Sequence, residues 1–209
     1  PKRLFTNNWQ DELWLVAGGI FGGSLYFFTE NTALGITQAS NVSFIICTAP
    51  LLTTILSLLF YKSEKASKGL IYGSLLALMG VGLIVFNGSF VLKISPIGDL
   101  LTLLAALSWA FYSLIIKKMA GRYPTIFITR KIFFYGVLTI LPAFLLHPLH
   151  PDTVVLLHPA VLFNLLFLAV LASLICYVLW NVVLKQLGTV RASNYIYLNP
   201  LVTMIASFL

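Results

Sequence analysis

Charge is what this chain has least of. Only 9% of its 209 residues are Asp, Glu, Lys or Arg, against roughly 25% in an ordinary soluble domain. Cysteine is nearly absent. Cys47 and Cys176 both lie within apolar stretches, so neither a disulfide framework nor a redox pair is indicated. There is no glycine-rich phosphate loop, no Ser-His-Asp set and no HExxH. Neither ATP hydrolysis nor peptidase chemistry is signalled, and no enzyme activity or cofactor is expected. His147, His150, Asp152 and His158 share one loop, but its prolines hold it extended. Their spacing fits no compact ligand pattern, so no metal site is assigned. Strand-period alternation is missing as well, which makes a membrane β-barrel a poor alternative.

What the chain does have is apolar length. It is 59% hydrophobic, and its charges fall in short clusters between seven apolar runs, at 13–34, 38–60, 69–87, 96–118, 126–146, 160–184 and 190–209. Runs of about 20 residues match the thickness of a bilayer. Each must be helical, because hydrocarbon satisfies no unpaired backbone group. The expected fold is therefore all-α, a polytopic helical membrane protein. Of thirteen Lys and Arg residues, only Lys93 falls on one side of an alternating path, and the other twelve fall on the opposite side. The positive-inside rule then places the chain start and the 62–68, 117–131 and 185–191 connections in the cytoplasm. That topology accounts for the formal charge of +7, and no nucleic-acid partner is needed.

The chain also repeats itself, with an offset of 150 residues. Asn31 matches Asn181, Leu34 matches Leu184, Ser43 matches Ser193 and Pro50 matches Pro200, without a gap. Thr53, Ile55, Ser57 and Leu59 continue the register onto Thr203, Ile205, Ser207 and Leu209. The connection after the first run is external and its counterpart after the sixth is internal, so the repeats are inverted. Inversion needs an odd number of spans per half, and five spans separate equivalent helices. The reading is inverted five-helix repeats with seven of about ten transmembrane helices present. Residues 1–95 hold the last three helices of the first repeat, and residues 96–209 hold the second repeat without its last helix. On this expectation the chain is an internal part of a protein of roughly 300 residues, at roughly 30 residues per span. Inverted repeats of this kind characterise secondary transporters.

Three segments carry a family resemblance. The stretch from Pro96 through Gly98-Asp99 to Trp109 and Tyr112 resembles the opening helix of the second repeat in EamA-like transporters of the drug/metabolite transporter superfamily. Arg191-Ala-Ser-Asn-Tyr-Ile-Tyr-Leu-Asn199-Pro200 resembles the fourth helix of that repeat. Glu64 to Gly73, followed by Gly80-Val-Gly82, resembles the end of the first. The resemblance implies a ten-helix inner-membrane carrier with cytoplasmic termini, in a family whose members often export amino acids, nucleobases or other small metabolites.

Local features fit helices. Ser95 precedes Pro96 as a capping residue, Asp99 lies in the first turn, and Pro159 opens the sixth run. Small residues recur at helical spacing as Gly18 with Gly22, Gly19 with Gly23, and Gly69, Gly73, Ala77 and Gly80, a pattern that lets helices approach closely. Pro50 and Pro200 sit at matching points in the second and seventh runs. Each deprives a carbonyl four residues back, on Ile46 and Ile196, of its helical donor. Bent or broken helices that meet at the midplane are where inverted-repeat carriers bind solute.

Polar and aromatic side chains gather around those prolines. Glu30 is the one acid well inside an apolar run, placed to receive a substrate amine or a coupling proton. With it the candidate binding residues are Asn31, Trp109, Tyr112, Trp180, Asn181, Tyr195 and Asn199, a set suited to a small zwitterionic or heteroaromatic solute. For each, helix packing or interfacial anchoring is the competing role. The expected function is export of a small organic metabolite across the inner membrane by alternating access. The partners are that solute, the bilayer, a coupling proton and, as an open option, a second copy of the chain. A non-transporting sensor or scaffold is the alternative, ahead of a membrane enzyme acting on lipid-linked substrates.

Overall fold

The computed structural model describes residues 5–6, 8–61, 68–86, 95–146, 153–200 and 202, and every regular element among them is helical. The first span is a continuous rod: α1 (Trp9–Gly19), a π-helical segment (Ile20–Ser24) and α2 (Leu25–Ile36). Asn8 caps it by accepting from the Gln10 N–H at 3.2 Å. The second span is broken into α3 (Ala39–Ile46) and α4 (Ala49–Phe60), and α5 (Lys68–Phe86) is the third. The longest rods follow, α6 (Pro96–Ala120) and α7 (Thr125–Leu146), then a short turn, α8 (Thr153–Leu156). The sixth span again has an α–π–α form: α9 (Pro159–Leu166), a π segment (Phe167–Ile175) and α10 (Cys176–Leu187). After Gly188, whose φ of +81° few other residues adopt, come α11 (Thr189–Ser193) and a 3₁₀ segment (Asn194–Leu198). Four stretches of the described residues are long and apolar enough to cross a bilayer: Asn41–Phe60, Pro96–Ala120, Thr125–Leu145 and Pro159–Leu187.

Polar contacts tie the rods together at both ends. At the end assigned to the cytoplasm, the start of α1 bonds to the α6–α7 turn and to α7 through Asp11–Arg122 and Glu12–Lys131. Tyr61, just past α4, donates to the Leu114 carbonyl there at 3.1 Å. At the other end the Ser95 hydroxyl donates to the Ile36 carbonyl at 3.3 Å. Asn181, late in α10, reaches Thr129 near the start of α7. So α10 runs toward the end where α1 begins, and the equivalent rods of the two repeats are antiparallel.

α6 threads the centre. Ala105, Ala106, Ala110, Tyr112, Ile116 and Met119 are fully or almost fully buried against the rods around it. The glycines of the first rod let α6 and α7 come close. A Cβ on Gly22 would lie 2.2 Å from the Tyr112 ring. One on Gly19 would lie 2.6 Å from the Tyr135 Cβ and 2.8 Å from the Gly136 backbone nitrogen.

Three expectations need correction. Gly73 and Gly80 of α5 have no neighbour within 4 Å among the described residues, so these two glycines of the stripe make no close helix contact there. α5 instead seats Gly82 against the Phe44 ring. Ser95 does not cap α6, because its hydroxyl is turned to Ile36 of the preceding span. Pro50 does not bend a continuous helix. The rod stops at Cys47–Thr48, and Pro50 stands in the first turn of a new helix, where its missing N–H costs nothing. Pro200 likewise follows the 3₁₀ segment. The π segments were not foreseen, and they too obey the repeat: shifting 20–24 by 150 lands within 167–175. A π turn widens the helix and displaces one backbone bond, so both halves loosen their third rod at the same level.

Candidate functional site

A cavity of about 340 Å³ opens where the interrupted rods meet α6. Tyr26 comes from the first rod, Ile46 and Ala49 from either side of the α3–α4 break, and Ala106 and Trp109 from α6. Trp180 of α10, then Tyr195, Ile196 and Asn199 around the 3₁₀ segment, close the other side. The α3–α4 break and the 3₁₀ turn leave room that two straight helices would fill, which is why the small Ala49 and Ala106 form part of the wall. None of the described lining residues is charged.

Aromatic rings dominate. Trp109 is the hub, with centroids 5.0 Å from Tyr26, 5.2 Å from Tyr112 and 5.7 Å from both Tyr177 and Trp180. These separations are those at which aromatic pairs attract. The indole N–H groups of Trp109 and Trp180 have no acceptor among the described residues. Glu30 stands one turn beyond the wall and accepts from the Tyr26 hydroxyl at 2.9 Å. Glu30 and Trp180 are equivalent positions of the repeat, 150 apart, so one half carries an acid where the other carries an aromatic.

The eight sequence-derived site residues divide by location. Trp109, Trp180, Tyr195 and Asn199 line the cavity, and Glu30 reaches it through Tyr26. Tyr112 and Asn181 lie behind the wall, essentially fully buried. The Tyr112 hydroxyl donates to Asn181 Oδ1 at 2.7 Å, and Asn181 Nδ2 donates to Thr129 Oγ1 at 2.9 Å. They brace α6, α7 and α10 against one another. Asn31 is exposed and its amide is satisfied locally by the Phe27 carbonyl at 2.8 Å, away from the cavity. His147, His150 and Asp152 lie outside the described residues, and no cluster of potential metal ligands occurs among those described. Cys47 is buried and Cys176 exposed, both free.

Sequence reasoning missed Tyr26, hidden among other aromatics of its run. It also missed a second polar centre at the cytoplasmic end. Asp11 accepts from Arg122 at 2.6 Å and from the Tyr123 hydroxyl at 2.9 Å. Glu12 accepts from Lys131, from the Tyr135 hydroxyl and from the Thr6 hydroxyl and backbone N–H. Burial alone would raise the Glu12 carboxyl, yet the bonds from Lys131, Tyr135 and Thr6 outweigh it and hold the group below the usual carboxylate range. Tyr177, from the second repeat, donates its hydroxyl to the Gly22 carbonyl of the first rod's π segment at 2.5 Å. The cavity, the Asp11–Glu12 centre and the Tyr177–Gly22 bond all join residues of 6–60 to residues of 96–199.

The model of the EamA-like transporter family matches residues 1–86 and 96–209. A protein of Archaeoglobus fulgidus named as an uncharacterized transporter is 30% identical over 190 residues, covering 90% of the chain and 64% of that protein. The uncharacterized transporter YyaM of Bacillus subtilis is 29% identical over 194 residues, covering 91% and 62%. The chain thus spans under two thirds of the length of these relatives. A crystal structure of a protein only 21% identical superposes with a TM-score of 0.75 over 97% of the chain and 69% of its own, a likeness of fold.

Proposed function

The chain belongs to the EamA-like transporter family of multi-pass membrane proteins, and from that premise we propose that it forms the solute-handling part of a secondary carrier in the plasma membrane. In this reading, residues 1–95 and 96–209 belong to two inverted repeats that rock about the aromatic cavity and export a small organic metabolite. The observation that carries it is the cavity's position. It lies at the repeat-matched helix breaks near Pro50 and Pro200, and helices of both repeats supply its wall.

Its chemistry narrows the solute. An aromatic wall attracts a cation through the ring faces, and Glu30 supplies the nearest negative charge. The unpartnered indole N–H groups of Trp109 and Trp180 offer donors to a carboxylate or carbonyl. An amino acid or a related amine-bearing metabolite meets both demands. A solute of purely negative charge meets no cation in the described wall. Glu30 also offers a protonation site through which export could be coupled to a proton.

The test is flux through vesicles that hold the full-length protein, with solutes first chosen by resistance of overproducing cells to toxic metabolite analogues. Trp109→Ala, Trp180→Ala and Glu30→Gln should each lower flux at least tenfold, the effect of losing about 1.4 kcal/mol of transition-state stabilisation. Flux unchanged in all three removes the cavity from the transport path.

A further inference from the structure

The cations at the cytoplasmic end are used unequally. Arg122 and Lys131 are bonded to Asp11 and Glu12. Lys118 has no carboxylate partner among the described residues; its ammonium lies 3.7 Å from the ring centroid of Trp14. Lys117, beside it, lies 4.4 Å from the Tyr61 ring centroid. The Lys118 ammonium has three N–H donors, and contact with one ring face does not use them all.

Directly below these lysines a second cavity of about 370 Å³ runs between α1, α4 and α6. That is the size of a ligand site, and it is unrelated to the solute cavity. Its wall is almost wholly apolar and already organised. Phe21 stacks on Phe111 at 5.2 Å, and Phe60 meets Phe111 edge to face at 6.4 Å. Trp14 is 39% and Phe60 65% exposed, so the groove opens sideways, where the bilayer lies. From Trp14 to Phe21 it follows about 10 Å of helix inward from the mouth.

We propose that this groove binds an anionic phospholipid of the cytoplasmic leaflet, with an acyl chain against Phe21 and Phe111 and the phosphate on Lys118. A soluble anion would find no polar wall below the lysines. A second copy of the chain in the same orientation would bring its own Lys117 and Lys118 against these, charge against like charge. A phospholipid matches the whole feature, because it joins negative charge to hydrocarbon at the depth where the groove joins lysine to phenylalanine. The proposal does not depend on which solute the protein carries.

The experiment uses the full-length protein in phosphatidylcholine nanodiscs containing rising fractions of brominated phosphatidylglycerol or brominated phosphatidylcholine. Tryptophan quenching in the wild type minus that in Trp14→Phe isolates the groove. Half-maximal quenching is expected at about fivefold lower mole fraction for phosphatidylglycerol, the preference that one lysine near the surface confers. Lys118→Gln should erase the preference and Lys118→Arg should keep it. Equal midpoints for the two lipids in the wild type would mean ordinary boundary lipid and would overturn the proposal. So would the absence of any Trp14-dependent quenching, which would mean that polypeptide covers the groove. If Lys118→Gln fails to fold, the wild-type comparison still decides.

Discussion

Exchanging Lys131 for methionine should unfold this protein far more readily than exchanging Arg122 for glutamine, although both cations pair with adjacent acids of α1. The difference lies in burial. The Lys131 and Glu12 side chains are only 7% and 9% exposed, whereas Arg122 is 55% exposed beside an Asp11 at 8%. Lys131→Met leaves the Glu12 carboxylate buried with hydroxyl and amide donors but no counter-charge, which costs about 3–5 kcal/mol. Arg122→Gln removes a charge already half in water, and Asp11 keeps the Tyr123 hydroxyl, so the loss should be about 1 kcal/mol or less. The double variant Glu12→Gln/Lys131→Met should recover most of the larger loss, because an uncharged pair of similar volume carries no uncompensated desolvation. SDS-driven unfolding of the full-length protein in mixed micelles, followed by circular dichroism, measures all three. The reasoning fails if Lys131→Met costs no more than Arg122→Gln, or if the double variant is no more stable than Lys131→Met.

Two further outcomes follow from the packing. Gly19→Ala and Gly22→Ala force atoms into α7 and α6 and should each cost about 1–3 kcal/mol by the same unfolding measurement. Gly73→Ala, which meets nothing within 4 Å among the described residues, should cost nothing and serves as the control. Asn181→Leu strands the buried Tyr112 hydroxyl, while Thr129 keeps its bond to the Thr125 carbonyl, and should cost about 1–3 kcal/mol. Adding Tyr112→Phe should return part of that loss, and a double variant no better than Asn181→Leu would contradict the network.

Helix positions were legible because bilayer length and hydropathy leave only one backbone solution for each apolar run. The positions of the interruptions near Pro50 and Pro200 were legible because one sequence register predicts both, but their form was not, since Pro50 opens a new helix instead of bending one. The π segments were not, since Gly22 and Gly23 or Ala172 and Ser173 carry no residue type peculiar to a π turn. Repeat equivalence also misled where surroundings differ. Asn31 and Asn181 occupy matching positions, yet one points outward and the other bridges three rods. That Trp109, Trp180, Tyr195 and Asn199 gather around one cavity was legible because polar and aromatic groups cluster in the sequence near the matched prolines. Asp11 and Glu12 stand just before the first apolar run and carry no motif. Their partners stand 111 to 123 residues away, and no local pattern announces such a contact.

Sidedness labelling tests the inverted arrangement most directly. Gly35 and Gln186 are both exposed, near the ends of equivalent rods of the two repeats. Single cysteines at these positions, in full-length protein with Cys47 and Cys176 replaced by serine, should react with a membrane-impermeant thiol reagent from opposite faces of sealed membranes. Gly35→Cys should label from outside and Gln186→Cys from the cytoplasm. Labelling of both from one face would make the repeats parallel and leave no basis for two halves rocking about a shared cavity.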